Sequence, residues 1–265
     1  MSDLSLSVIM PALNEEKNIE AAVRSTFEAF AEKRVIGEII VVNDGSSDKT
    51  PEIVQSLKTE YPSLSLLNHS KPMGIGHSFF DGVRNAKNDI VVMFPGDNEN
   101  DPNDALNYLF LLRQVDIVVP FIHNIEVRRK MRRLLSSLYR FIINITFGIN
   151  LNYTNGTVFY RRHILNDITL KSFGFFYQAE LLIKLIRQGY LFAEVPNFLS
   201  IRNDGKSKAT TFKSLIRVMK SYLQIFINIY ITADETGKKR IEFLHPLSVS
   251  FAKYSKLSKG SEHGQ

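Results

Sequence analysis

Residues 91–102 read VVMFPGDNENDP. An apolar run with the character of a buried strand stops at Pro95-Gly96, and Asp97, Asn98, Glu99, Asn100 and Asp101 follow at once. A turn accounts for the glycine and the asparagines. It does not account for the three acids Asp97, Glu99 and Asp101, since like charges repel. A cation, or a ligand that carries one, does. Two further polar clusters follow apolar runs upstream: Asn14-Glu15-Glu16 after SVIMPAL, and Asn43-Asp44-Gly45-Ser46 after EIIVV. Far downstream, Arg202, Lys206 and Lys208, with Ser207 between them, bring the opposite sign. Arginine offers a two-pronged fork to phosphate and lysine a mobile point charge, but taken alone the cluster reads as a solvated basic loop. Asp101 and Asp104 read as the N-cap and first-turn acid of a helix that starts near Asn103.

These clusters need a scaffold that gathers them. Apolar, β-rich runs at 4–10, 37–42, 64–68, 89–94 and 116–120 alternate with helical patterns at 17–31, from about 50 onward, 78–86 and 103–112. Strand and helix in repetition imply an α/β fold with a mostly parallel central sheet flanked by helices. In open parallel sheets, ligands bind at the carboxyl ends of the strands. The clusters after the first, second and fourth strands therefore converge on one sheet edge. Past residue 121 the rhythm changes. Residues 126–147 read as one long helix, with Met131, Leu134, Leu135, Leu138, Ile142, Ile145 and Ile149 in one stripe. A strand (157–160), a helix (176–188), a strand (191–195) and a mixed apolar and basic helix (211–231) complete the chain. We expect one domain over 1–210, including the basic helix at about 126–147, and a C-terminal helix and tail over 211–265.

Composition fits that picture. The chain has 265 residues, 44% hydrophobic and 23% charged, which is ordinary for a globular α/β protein. There is no cysteine, which rules out disulfides and thiolate chemistry. The N-terminus lacks the basic and apolar regions of a signal peptide, and no run reaches the ~20 apolar residues of a spanning helix. The net charge is +6, and Arg128, Arg129, Lys130, Arg132, Arg133 and Arg140 match that whole excess. A patch so local points to a local anionic partner. An amphipathic helix with that many cations suits an anionic membrane surface; it equally suits packing on the sheet with solvated arginines outside, and the two are compatible if the helix half-docks. No aromatic platform accompanies the patch, so nucleic acid is not expected.

The segments SVIMPALNEEKNI, EIIVVNDGSSDKT and NDIVVMFPGDNENDP, in that order and spacing, resemble family 2 inverting glycosyltransferases of the GT-A fold. Within that family they are most similar to the dolichyl- or polyprenyl-phosphate sugar synthase branch. The resemblance implies a nucleotide-sugar site lined by Pro11, Ala12, Asn14 and Glu15. In it Asp44 accepts a hydrogen bond from the base of a UDP- or GDP-sugar, and Gly45 and Ser46 let the backbone approach. The segment around Gly74 and Gly76 then lies over the nucleotide. The family's acidic motif holds Mg2+ or Mn2+ between two aspartates; here Pro95 stands at the first and Asp97 at the second, with Glu99 beyond. Arg202, Ser207 and Lys208 match the residues that clamp donor and acceptor phosphates, and Asn155-Gly156 the acceptor loop.

The acceptor follows from acid–base chemistry. A sugar hydroxyl needs a general base, and in FGFFYQAELL the nearest carboxylate is Glu180. A phosphate monoester, with a second pKa near ~6, is largely ionised already. We therefore expect an enzyme that glycosylates a polyprenyl phosphate, peripheral at the cytoplasmic face of a membrane. A family 2 enzyme that glycosylates a glycan hydroxyl for the cell envelope, with Glu180 as base, is the alternative. A non-catalytic nucleotide-binding or membrane scaffold, which Pro95 suggests, is the alternative of another class.

Overall fold

The computed structural model describes residues 4–124, 130–174, 176–197, 212–231 and Ser248. These form two compact units, one of residues 1–113 with 157–167 and the other of 114–156 with 168–265.

In the first unit, β1 (Ser5–Ala12) lies between β2 (Ile36–Asn43) and β4 (Ile90–Met93), with β3 (Leu64–Asn68) outside β2, all parallel. The near-continuous apolar run of β1 is what a strand covered on both faces requires: Leu6, Val8, Ile9 and Met10 are fully buried. Burial of each such side chain contributes about 1.5–3 kcal/mol. Strand β6 (Phe159–Arg161) adds to β4 in the antiparallel sense. Register aligns the strand ends: Ala12 pairs with Asn43, Asn43 with Asn68, and Ile9 with Met93. The loops after β1, β2, β3 and β4 thus leave the same edge. Helices α1 (Ile19–Lys33), α2 (Thr50–Leu57) and α3 (Ile75–Asn85) are the crossovers. Helix α1 buries the row Ile19, Ala22, Val23, Thr26, Ala29 and Phe30, and stops where Arg34 turns left-handed. The helix expected over 103–112 breaks in two. A short α4 (Pro102–Leu106) is capped by Asp101, which accepts from the Asn103 and Asp104 amides, and a 3-10 turn follows over Leu109–Arg113. Asn107 and Tyr108 between them, and Leu111 within the turn, bond three residues back instead of four, which tightens the chain.

In the second unit β5 (Ile117–Ile122) pairs in parallel with β7 (Phe192–Asn197). Helix α6 (Tyr177–Arg187) is buried at every position from Tyr177 to Ile183. Helices α5 (Lys130–Phe147) and α7 (Phe212–Tyr230) pack through Phe147, whose ring lies 5.8 Å from Tyr222 and 6.4 Å from Tyr230. The Thr146 and Tyr222 hydroxyls are hydrogen-bonded at 2.9 Å. Of the apolar stripe read from the sequence, Ile149, just past the end of α5, is buried, and the rest does not face the protein. Ile143 and Phe147 are buried, whereas Met131, Leu134, Leu135, Leu138, Ile142 and Ile145 are exposed. Helix α5 has apolar side chains on two faces, and only one of them meets the core. No described helix is long and apolar enough to cross a membrane.

Candidate functional site

The end of β1 is flanked by two turns that carry carboxylates. On one side the Asp44 amide donates to the Ala12 carbonyl at 2.9 Å; on the other the Gly96 amide donates to the Pro11 carbonyl at 2.9 Å. Asp44 and Asp97 therefore sit on strand ends either side of the same two residues. Pro11 and Ala12 are buried and brace both turns through their carbonyls.

The loops after β1 and β2 are laced together. Asn14, in the left-handed region at φ 57°, donates its amide to Ser46 Oγ and accepts from the Ser47 amide at 2.9 Å. The Glu15 amide donates to Thr50 Oγ1 at 2.9 Å, and the Glu16 amide to Asp48 at 3.1 Å. Asp48 also accepts from the Thr50 amide and hydroxyl. Burial alone would push the Asp48 carboxyl up, but these bonds hold it below its ordinary value. Asn14 and Glu15 thus fix the entrance of the site through their backbone and side-chain bonds.

Asp44 is 5% exposed, and its neighbours come from the segment after β3. It accepts from the Met73 amide at 2.8 Å, the Gly74 amide at 2.9 Å and His69 Nδ1 at 2.8 Å. Those three bonds leave about one of a carboxylate's four acceptor positions. The segment implied to cover the nucleotide is therefore pinned to Asp44 itself. Burial alone would raise the Asp44 carboxyl, but the bonds from His69, Met73 and Gly74 outweigh it and lower the pKa. A depressed pKa stabilises the fold above the unfolded carboxylate range near ~4, and that stabilisation is lost as pH falls through the lowered value. Asp44→Asn should therefore melt below wild type at neutral pH, with the gap closing in acid. Thermal melts across that range check it.

Gly45 belongs to the same clamp. It sits at φ +76°, and a Cβ there would come within 2.7 Å of the Lys71 carbonyl carbon and 2.8 Å of the Pro72 nitrogen. The close approach that requires glycine is thus by the protein's own 71–72 backbone. Gly45→Ala should cost about 1–3 kcal/mol, read as a lower Tm.

The sequence reading missed His69. Its Nε2 lies 2.9 Å from Asp81 Oδ2 on α3, so the ring bridges Asp44 and Asp81, and Arg84 pairs with Asp81 in turn. The strand-end rule would have found it, because His69-Ser70 follows β3 directly. Gly74 N-terminally caps α3 at φ 101°, and Gly76 is buried in that helix's first turn.

Beyond β4 the turn is shaped by Asn98, left-handed at φ 57°, and by Asp97 Oδ1, which accepts from the Glu99 amide at 3.1 Å. Asp97 is half-buried and Glu99 exposed. Asn100 accepts from the Thr157 hydroxyl at 3.0 Å. Among the described residues no three His, Cys, Asp or Glu side chains converge to hold a metal ion unaided. Two carboxylates two residues apart on one turn fit a cation whose remaining positions are filled by phosphate and water.

Asn155, Gly156 and Glu180 belong to the second unit. Asn155 is exposed; the Gly156 carbonyl accepts from the Gln178 amide group, and a Cβ on Gly156 would come within 2.7 Å of the Pro120 carbonyl oxygen. Glu180 corrects an expectation. It is 0% exposed, accepts from the Lys171 and Ser172 amides at 2.8 Å each, and pairs with Lys184 at 2.6 Å. A carboxylate so placed anchors the 171–172 loop to α6 and has no exposed surface to offer an acceptor hydroxyl. Arg202, Ser207 and Lys208 lie outside the described residues, as do Arg128 and Arg129 of the basic patch.

Residues 7–169 match the glycosyl transferase family 2 model, and the chain belongs to that family. Dolichyl-phosphate beta-glucosyltransferase ALG5A of Trichomonas vaginalis is 35% identical over 104 residues, which is 37% of this chain and 32% of the relative. A second such enzyme of that organism, ALG5D, is 34% identical over the same length. The chain thus matches about a third of the length of these curated relatives. Among solved structures, glucosyl-3-phosphoglycerate synthase of Mycobacterium tuberculosis bound to UDP superposes with a TM-score of 0.61 at 19% identity, over 84% of this chain and 79% of that one. The same enzyme with Mn2+, UDP and phosphoglyceric acid gives 0.61 at 20% identity, over 84% and 78%. At that identity the likeness establishes the GT-A fold.

Proposed function

We propose that this chain transfers one sugar, with inversion, from a UDP- or GDP-sugar to a polyprenyl phosphate at the inner face of a membrane, where it is peripheral. The observation that carries the reading is the pair of turns bearing Asp44 and Asp97 on either side of the β1 end, in a family 2 chain. Relatives named dolichyl-phosphate glucosyltransferases support the acceptor class.

Asp97 and Glu99 would hold Mg2+ or Mn2+. When bound, the cation neutralises charge on the diphosphate leaving group. Asp44, already held by His69, Met73 and Gly74, presents its remaining acceptor position to one N–H of the donor base. Pro11, Ala12, Asn14, Glu15, Gly45 and Ser46 shape the rim around it, with Gly74 and Gly76 in the covering segment. Arg202 and Lys208 pair with phosphate, and Ser207 with Asn155-Gly156 orients the acceptor. Burial of Glu180 favours the phosphate acceptor, since an ionised phosphate attacks without a base.

The test is acceptor choice. The full chain, labelled donor and Mn2+ are given polyprenyl phosphate, the corresponding polyprenol, or envelope glycans. Transfer to the phosphate alone is expected. Transfer to a hydroxyl acceptor overturns the acceptor assignment, and donor binding with neither transfer nor hydrolysis marks a scaffold.

A further inference from the structure

Helices α5 and α7 each turn an apolar row away from the protein. On α5, Leu134, Leu138, Phe141 and Ile145 recur every three or four residues and are 53–66% exposed. On α7, Met219, Leu223 and Ile227 recur every four residues and are 42–54% exposed, while Ile225 and Ile229 face inward. Apolar side chains on two faces of a helix call for two partners, and the core of the unit supplies one.

Charge identifies the other. Neither helix contains an aspartate or glutamate; α5 carries four Lys or Arg and α7 three. Two copies of this basic surface brought together would set like charge against like charge. An anionic bilayer matches them, each cation near its surface adding to the attraction. At 3.6 residues per turn, Arg133, Arg140 and Asn144 fall on the flank of α5 between its outward and inward rows. A groove of about 540 Å³ runs along that flank, with Leu134, Leu138 and Phe141 on one side and Arg140, Asn144 and Asn152 on the other. Such a gradient from apolar to basic is that of a lipid, chain to headgroup. No described helix is long and apolar enough to span, so the mode is in-plane.

We infer that α5 and α7 form a monotopic platform that inserts its apolar rows into an anionic phospholipid bilayer, rather than adsorbing through arginines alone. This deepens the membrane-face reading above and rests on it, but its test reads insertion rather than sugar transfer, so either can fail alone.

The chain has no tryptophan, so Ile145→Trp creates a single reporter. With vesicles of phosphatidylcholine and phosphatidylglycerol the full-length variant should show a blue shift and quenching by brominated acyl chains, both persisting in high salt. Ile36→Trp, an exposed site on the other unit, should show neither. Adding Phe141→Ser and Leu223→Ser to the Ile145 reporter should cut partitioning about tenfold or more with an unchanged circular dichroism spectrum. Binding that vanishes in high salt without quenching refutes insertion, as does a concentration-dependent dimer in light scattering that those substitutions dissolve while vesicles are ignored.

Discussion

Replacing Asp97 with alanine should lower kcat/KM by about 10²–10³-fold, the usual effect of removing one group that stabilises developing charge. The fold should survive. Asp97 is half-buried on a turn at a strand end, and its bond to the Glu99 amide contributes about 1 kcal/mol. For a chain of this size that moves Tm by about 2–4 °C. Steady-state kinetics at saturating Mn2+ beside a thermal melt separate the two effects. Wild-type turnover in Asp97→Ala would remove this residue from the site. Glu99→Ala should weaken activation by Mn2+, read as a higher metal concentration at half-maximal rate.

Glu180 should give the opposite pattern. Its carboxylate holds two backbone amides and Lys184 in a fully buried place. Removing one partner of a buried pair strands the other and costs about 3–5 kcal/mol. Glu180→Ala should therefore lower Tm by roughly 10 °C, while the molecules that remain folded keep their turnover. The milder Glu180→Gln preserves the shape and tests chemistry alone. If Glu180 were the general base, Gln would abolish turnover at nearly constant Tm, and transfer to hydroxyl acceptors would return to first place.

The scaffold was legible where periodicity is strong. Continuous apolar runs marked β1, β2 and β4, and the strand-end rule placed Asp44 and Asp97 on one edge. Asp101 as N-cap followed from local chemistry, since its carboxylate reaches only the next two amides. What the sequence hid depends on contacts between distant segments. Gly45 suggests close approach, but not that Lys71 and Pro72 are what approach it. Asp44 looks like a ligand for a base, but not like the anchor of the 73–74 backbone. Glu180 sits in an amphipathic pattern that marks it as surface, yet α6 is buried on nearly all sides and the acid survives there only because three donors meet it. In α5 the stripe was visible and its direction was not: two apolar faces compete for the core, and Ile143 and Phe147 win it.

The most direct measurement follows label. The full-length protein, Mn2+, polyprenyl phosphate and each of a panel of radiolabelled UDP- and GDP-sugars are incubated and partitioned between organic solvent and water. One donor should carry its label into the organic phase as a glycosyl phosphate of inverted anomeric configuration, with nucleoside diphosphate released in equal amount. Label that stays in water with every donor, while the same protein glycosylates a phosphate-free acceptor, would contradict a polyprenyl-phosphate glycosyltransferase.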